Sequence, residues 1–228
     1  MPRLRGTPAK LPAPEHCWPL LNKRLFGEST IGGQDHAILP DALPIDLGEI
    51  YGRTAPIALE IGFNRGRFLT DLARRHPEWN VLGIEIRRKF CWRLTHVLGT
   101  SDDAPRNLRI IWSDAKLVTE PVLGHGACTA IFVNFPDPWW KRRHAKRRLV
   151  SPDYAKELFS LLAPGGQIWV KSDVKAIADE IRDSLATVPQ LTAPTPFGED
   201  DLPLTHRERS CIAQGMEIHR YRVQRLPE

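Results

Sequence analysis

Ile57-Ala58-Leu59-Glu60-Ile61-Gly62-Phe63-Asn64-Arg65-Gly66 decides how this chain folds. Ile57–Ile61 is a short apolar run closed by a glycine, which reads as a buried strand. Helical spacing takes over at once: Phe68, Leu69, Leu72 and Ala73 share one face of a helix over Arg67–His76, ended by Pro77. A buried strand running through a glycine turn into an amphipathic helix is the first half of a βαβ unit.

The same alternation repeats outward. Asn80–Ile86 reads as a strand and Arg88–Leu98 as a helix with Phe90, Leu94, Val97 and Leu98 as its stripe. Leu108–Trp112 and Thr129–Phe135 read as further strands, with Trp112 in the core. Pro152–Leu162 is a helix begun by Ser151 as N-cap and Pro152 in the first turn. Pro164-Gly165-Gly166 is a turn, Gln167–Lys171 a strand in which Trp169 is core, Val174–Thr187 a helix and Glu217–Val223 a last strand. Strands alternating with helices predict an α/β protein: a doubly wound, mostly parallel Rossmann-like sheet, with an antiparallel strand at the C-terminal end. Residues 189–204 form a long proline-bearing loop. The first 33 residues read as a basic, proline-rich, irregular arm, and residues 34–228 as one domain.

Composition bounds the function. Of 228 residues, 42% are hydrophobic and 26% charged, which fits a globular chain. The four cysteines form no Cys-x-x-Cys pair and the eight histidines show no ligand spacing, so no metal site is expected. No apolar run approaches membrane-spanning length, and the N-terminus carries no apolar signal core. A cytoplasmic protein with reduced thiols is expected.

Acids close successive strands. In parallel α/β sheets ligands bind beyond the carboxyl ends of the strands. Gly62 and Gly66 let backbone approach a ligand there, and Glu60 ends the first strand. Glu85 ends the second, 25 residues on, where an acid typically accepts from ribose hydroxyls. Asp114 ends the third, placed to accept from an adenine amine. Asp137 follows the fourth. Position 67 is Arg and position 69 Leu, so the third glycine of the dinucleotide fingerprint is missing. Adenine, ribose and a small zwitterionic tail fit better, which describes S-adenosylmethionine.

Phe135-Pro136-Asp137-Pro138-Trp139-Trp140 leads into Lys141, Arg142, Arg143, Lys146, Arg147 and Arg148, six cations in eight residues, with His144 among them. The two prolines stiffen the backbone on either side of Asp137. The cations suit phosphates and the indoles suit stacked bases. A rigid acid beside a polyanion surface points to chemistry on a nucleic-acid base.

From Ala55 to Arg225 the chain resembles the bacterial tRNA (guanine-N7)-methyltransferases. The most specific stretch is Phe135–Arg148, which is similar to the family signature Phe-Pro-Asp-Pro-Trp-x-Lys-x-Arg-His-x-Lys-Arg-Arg. The resemblance implies a class I methyltransferase acting on guanine N7 in the tRNA variable loop. It implies Glu60, Glu85, Asp114 and Asp137 as S-adenosylmethionine-site residues, beside the turn glycines Gly62 and Gly66 already read as cofactor-binding. Lys141 and Asp173 match substrate positions, and Thr205 and Glu208 match the ends of a Thr-x-x-Glu motif. Arg143, His144, Lys146, Arg147 and Arg148 join Lys141 as expected tRNA ligands. Three positions depart from the pattern: Asn64 where glycine is usual, Arg207 where an aromatic is usual, and Trp140 for a smaller or more polar residue.

Guanine N7 carries an unprotonated lone pair at neutral pH, so no general base is expected. Asp137 is the expected catalytic residue, either accepting from guanine N1–H and N2–H or holding the cofactor ammonium. The competing readings are a class I methyltransferase for another substrate and a non-catalytic RNA-binding relative.

Overall fold

The computed structural model describes Cys17–Trp18, residues 44–140, Arg143 and residues 148–227. Among them lie eight strands in one sheet, in spatial order β1-β4-β3-β2-β5-β6-β8-β7. The strands are β1 (Cys17–Trp18), β2 (Ile57–Ile61), β3 (Asn80–Glu85), β4 (Leu108–Trp112), β5 (Cys128–Asn134), β6 (Leu162–Ser172), β7 (Thr195–Pro196) and β8 (His219–Gln224). The helices are α1 (Leu47–Tyr51), α2 (Arg67–Arg75), α3 (Arg88–Thr100), α4 (Ala115–Val118), α5 (Pro152–Leu161), α6 (Lys175–Ala186) and α7 (His206–Ala213), and Thr119–Leu123 forms a π-helical turn.

β1 to β6 pair in parallel, and β8 runs antiparallel to β6. The doubly wound sheet with a reversed C-terminal strand is therefore present. Every residue of β2 and β3 is buried, because helices cover both faces of the central strands. One face packs Tyr154, Leu158, Ile177 and Ile181 from α5 and α6. The other packs Phe68, Leu72, Leu94 and Leu98 from α2 and α3. A fully buried leucine such as Leu72 contributes about 2–5 kcal/mol against alanine. Gly83 permits the close approach of α2: a Cβ there would lie 2.4 Å from Leu69 Cδ2.

Ser151 caps α5, its hydroxyl accepting from Tyr154 N at 3.3 Å, with Pro152 in the first turn. Pro164-Gly165-Gly166 does not form the expected separate turn but lies within β6. β6 runs on through it, and the β5–β6 register jumps between Cys128↔Leu162 and Ala130↔Gln167. The chain thus makes a bulge where glycine at φ 75 allows it. The proline-bearing loop after α6 contains β7 and sends Leu202 into the core. The N-terminal arm is mostly outside the described residues; Cys17–Trp18 extend the edge of the sheet at β4.

Candidate active site

Parallel register brings the strand ends side by side. Ile61 pairs with both Ile84 and Val133, Glu85 with Trp112, and Asn134 with Lys171. The carboxyl ends of β2 to β6 therefore form one edge, with β2 and β5 at the point where the strand order reverses.

Three residues in the turn after β2 take left-handed backbone: Gly62 at φ 78, Asn64 at φ 51 and Gly66 at φ 72. Asparagine tolerates this region better than most side chains, which explains how the turn survives Asn64. A Cβ on Gly66 would lie 2.5 Å from Leu94 Cδ2, so that position excludes larger residues for packing as well. The turn points its backbone at Glu85: Asn64 N donates to Glu85 Oε2 at 2.8 Å. Arg87 N donates to the other oxygen at 2.8 Å and its Nε at 3.1 Å. Glu85 is 1% exposed, under the Arg87 side chain.

Glu60 is buried and accepts from Asn134 Nδ2 at 2.9 Å through Oε1. Its Oε2 is buried with no hydrogen-bond partner among the described residues. Burial pushes its pKa up to about 8, against the pull of Asn134 and Lys171. A buried carboxyl group with one unpartnered oxygen near the strand ends could hold a ligand cation. Asp114 stands at the end of β4 and caps α4, accepting from Lys116 N at 3.1 Å.

Asp137 is exposed. The turn that carries it is not simply extended: Phe135 has φ 49 and Trp139 φ 44. Two non-glycine residues in the left-handed region bracket Pro-Asp-Pro, each costing on the order of 1–3 kcal/mol. Phe135 N donates to Lys171 O at 2.7 Å, extending the β5–β6 pairing to the edge of the turn. Trp140, 72% exposed, stands beside it.

The expected tRNA ligands divide. Arg143 is exposed. Lys141, His144, Lys146 and Arg147 lie outside the described residues. Arg148 turns inward: Nε donates to Pro138 O at 3.1 Å, and Nη1 pairs with Glu180 of α6. It is therefore not displayed toward solvent like its neighbour Arg143. Asp173 does not cap α6, whose N-cap residue is Val174 with no side-chain cap bond; Ser172 Oγ accepts from Val174 N at 3.1 Å. Its carboxylate pairs with Arg207, whose Nε donates to it at 2.9 Å.

Thr205 and Glu208 are brought together, but as a buried capping box that opens α7. Glu208 is 0% exposed. Its carboxylate accepts from Lys171 Nζ at 2.8 Å, Arg220 Nε at 3.0 Å and Thr205 N at 3.2 Å. The Thr-x-x-Glu motif thus docks α7 onto β6 and β8, and its acid faces the interior. Lys171 is 1% exposed, and burial holds its ammonium below the usual lysine range while Glu208 pulls it back. Lys171, Asn134, Arg220 and Arg87 escaped the sequence reading; a lysine closing an apolar strand was the available signal for the first.

Sheet order, glycine turn and strand-end acids together define a class I methyltransferase. The chain matches the family described as "Putative methyltransferase" over residues 54–221. It is 35% identical to a tRNA (guanine-N(7)-)-methyltransferase of Synechococcus sp. (strain JA-3-3Ab) over 178 residues, covering 75% of this chain and 72% of that one. It is 34% identical to a tRNA (guanine-N(7)-)-methyltransferase of Myxococcus xanthus (strain DK1622), covering 79% and 88%. The solved 16S rRNA methyltransferase KamB shares the fold at 14% identity, with a TM-score of 0.58 over 78% of this chain and 92% of that one. The chain belongs to the tRNA (guanine-N7)-methyltransferase family.

Among the described residues no helix is long and apolar enough to cross a membrane, and no cluster of His, Cys, Asp or Glu suits a metal.

Proposed function

We propose that this chain methylates N7 of a guanine in the variable loop of tRNA, with S-adenosylmethionine as the methyl donor. The observation that carries the reading is the alignment of Glu60, Glu85 and Asp114 along one sheet edge beside the strained turn of Asp137. S-adenosylmethionine supplies a methyl group bound to a cationic sulfur, open to attack by a lone pair.

Glu85 would hold the ribose hydroxyls, with Arg87 moving off its Oε1 to make room. Asp114 would accept from the adenine amine. Glu60 has the open oxygen for the ammonium, and a cation beside it would draw off its proton. That assignment leaves Asp137 for the guanine, where it accepts from N1–H and N2–H. Guanine N7 needs no deprotonation, so the protein's part is positioning and electrostatics. Positive charge grows on the purine ring as the N7–methyl bond forms, and a fixed carboxylate is worth more then than in the ground state. Arg143 and the cations around it would hold phosphates, which orient the tRNA without reading its sequence.

Asp137→Asn tests the reading. Turnover should fall far more than affinity for either substrate. Near-normal turnover with both substrates saturating would remove Asp137 from the chemical step, and a loss confined to cofactor affinity would give it the ammonium instead.

A further inference from the structure

Arg148 closes the basic run, yet its surroundings differ from those of a phosphate ligand. Its side chain is 28% exposed and already paired with Glu180 on α6. A countercharge in contact with the guanidinium cancels much of its pull on a distant phosphate. Its Nε donates to the carbonyl of Pro138 at 3.1 Å. Pro138 directly follows Asp137.

The Arg148 backbone is held from the other side. Its carbonyl accepts from Lys116 Nζ at 2.7 Å, and Lys116 N donates to Asp114 at 3.1 Å. A chain of contacts therefore runs from the end of β4 through Lys116 and Arg148 to the Pro-Asp-Pro turn. The seam between that turn and α6 is nearly closed. The cavity lined by Pro136, Asp137, Arg148, Val150, Ile177 and Glu180 measures only about 10 Å³. Positive φ at Phe135 and Trp139 persists only where surrounding contacts over-determine it. Arg148 supplies such a contact between those two residues.

We infer that Arg148 is a positioning residue for Asp137: pinned by Glu180, it holds the Pro138 carbonyl and so fixes the strained turn that aims the carboxylate. The inference rests on the proposed role of Asp137 in methyl transfer.

The test compares Arg148→Gln, Arg148→Lys, Glu180→Gln and the double glutamine variant with wild type and Asp137→Asn. Single-turnover methyl transfer is measured with tRNA and S-adenosylmethionine saturating, and tRNA affinity at several salt concentrations. Arg148→Gln should slow transfer tenfold or more with an unchanged slope of log K against log salt. Glu180→Gln should slow it in the same direction, and the double variant should be no slower than Arg148→Gln. Lysine keeps the charge but loses the two-pronged geometry, so Arg148→Lys should not restore the rate. A slope flattened by about 0.7–0.9 with a normal rate would make Arg148 a phosphate ligand and overturn the inference. A normal rate with only a lower melting temperature would reduce it to a stability contact and overturn it equally. Should Arg148→Gln not fold, Glu180→Gln decides alone: a slowed rate supports the clamp and a wild-type rate overturns it. If Asp137→Asn is slow while the Arg148 and Glu180 variants are normal, only the clamp fails. If Asp137→Asn is itself normal, the role of Asp137 fails and the clamp with it.

Discussion

Replacing Glu208 by alanine should unfold this protein many degrees early while saying little about tRNA contact. The carboxylate is 0% exposed and accepts from Lys171, Arg220 and the Thr205 amide at 2.8, 3.0 and 3.2 Å. Arg220 keeps a second, weaker partner in Glu199 at 3.9 Å. Among the described residues Lys171 keeps a long contact to Pro203 O at 3.5 Å, the faces of Phe68 and Phe197 and the charge of Glu60. Removing one partner of a buried pair costs about 3–5 kcal/mol, because the other charge stays buried. Loss of the reciprocal bond from Thr205 N adds about 1 kcal/mol, while Thr205 still caps the 208 amide. The pair alone corresponds to a fall in Tm of roughly 6–20 °C for a domain of this size. Circular dichroism melts of wild type and Glu208→Ala, at low and high salt, check this. The loss should persist in salt, since a buried pair is little screened. A variant melting within about 2 °C of wild type but losing tRNA affinity would refute the reasoning and make Glu208 a direct substrate contact.

Four further outcomes are expected. Glu60 holds its proton up to about pH 8 in the folded chain but loses it near pH 4.5 when unfolded, so the folded state binds the extra proton between them. Stability of the ligand-free protein should therefore fall as pH rises through that window, by up to ~1.4 kcal/mol per unit, and Glu60→Gln should flatten the slope. Binding S-adenosylmethionine near pH 7 should release a proton, detected as a buffer-dependent binding enthalpy; no buffer dependence would move the ammonium elsewhere. Asn64→Gly should leave cofactor affinity equal or tighter and stability within about 1 kcal/mol, since the backbone donor to Glu85 is kept; weaker binding would show that the side chain itself touches the cofactor. Neutralising Arg143 and Arg147 together should weaken tRNA binding and flatten its salt slope by about 0.7–0.9 per lost contact, with cofactor affinity unchanged; parallel lines would show that neither touches phosphate.

The sheet was legible because its signals are local. Ile57–Ile61 is apolar but for Glu60 and buried throughout, and Pro77 and Pro152 mark where helices end and begin. Short or polar elements were not. α7 carries only Glu208 and Cys211 as buried residues, so its pattern has no apolar stripe to read. β7 is two residues supported by pairing with β8. The acids at strand ends could be placed from the alternation of strand and helix. Their partners could not, because Lys171 meets Glu208 across 37 residues and Arg148 meets Glu180 across 32. The inward turn of Arg148 was hidden for the same reason: beside five other cations its residue type says phosphate, and only the fold shows Glu180 waiting for it.

The most direct measurement is mass spectrometry of nucleosides and nuclease fragments from unmodified tRNA incubated with the protein and S-adenosylmethionine. One methyl group should appear per tRNA, as 7-methylguanosine in the fragment that contains the variable loop. Asp137→Asn should give far less of it in the same time. A methyl group on another base, or at another guanine position, would contradict the assigned chemistry. No transfer by a folded protein that binds both partners would contradict the activity itself.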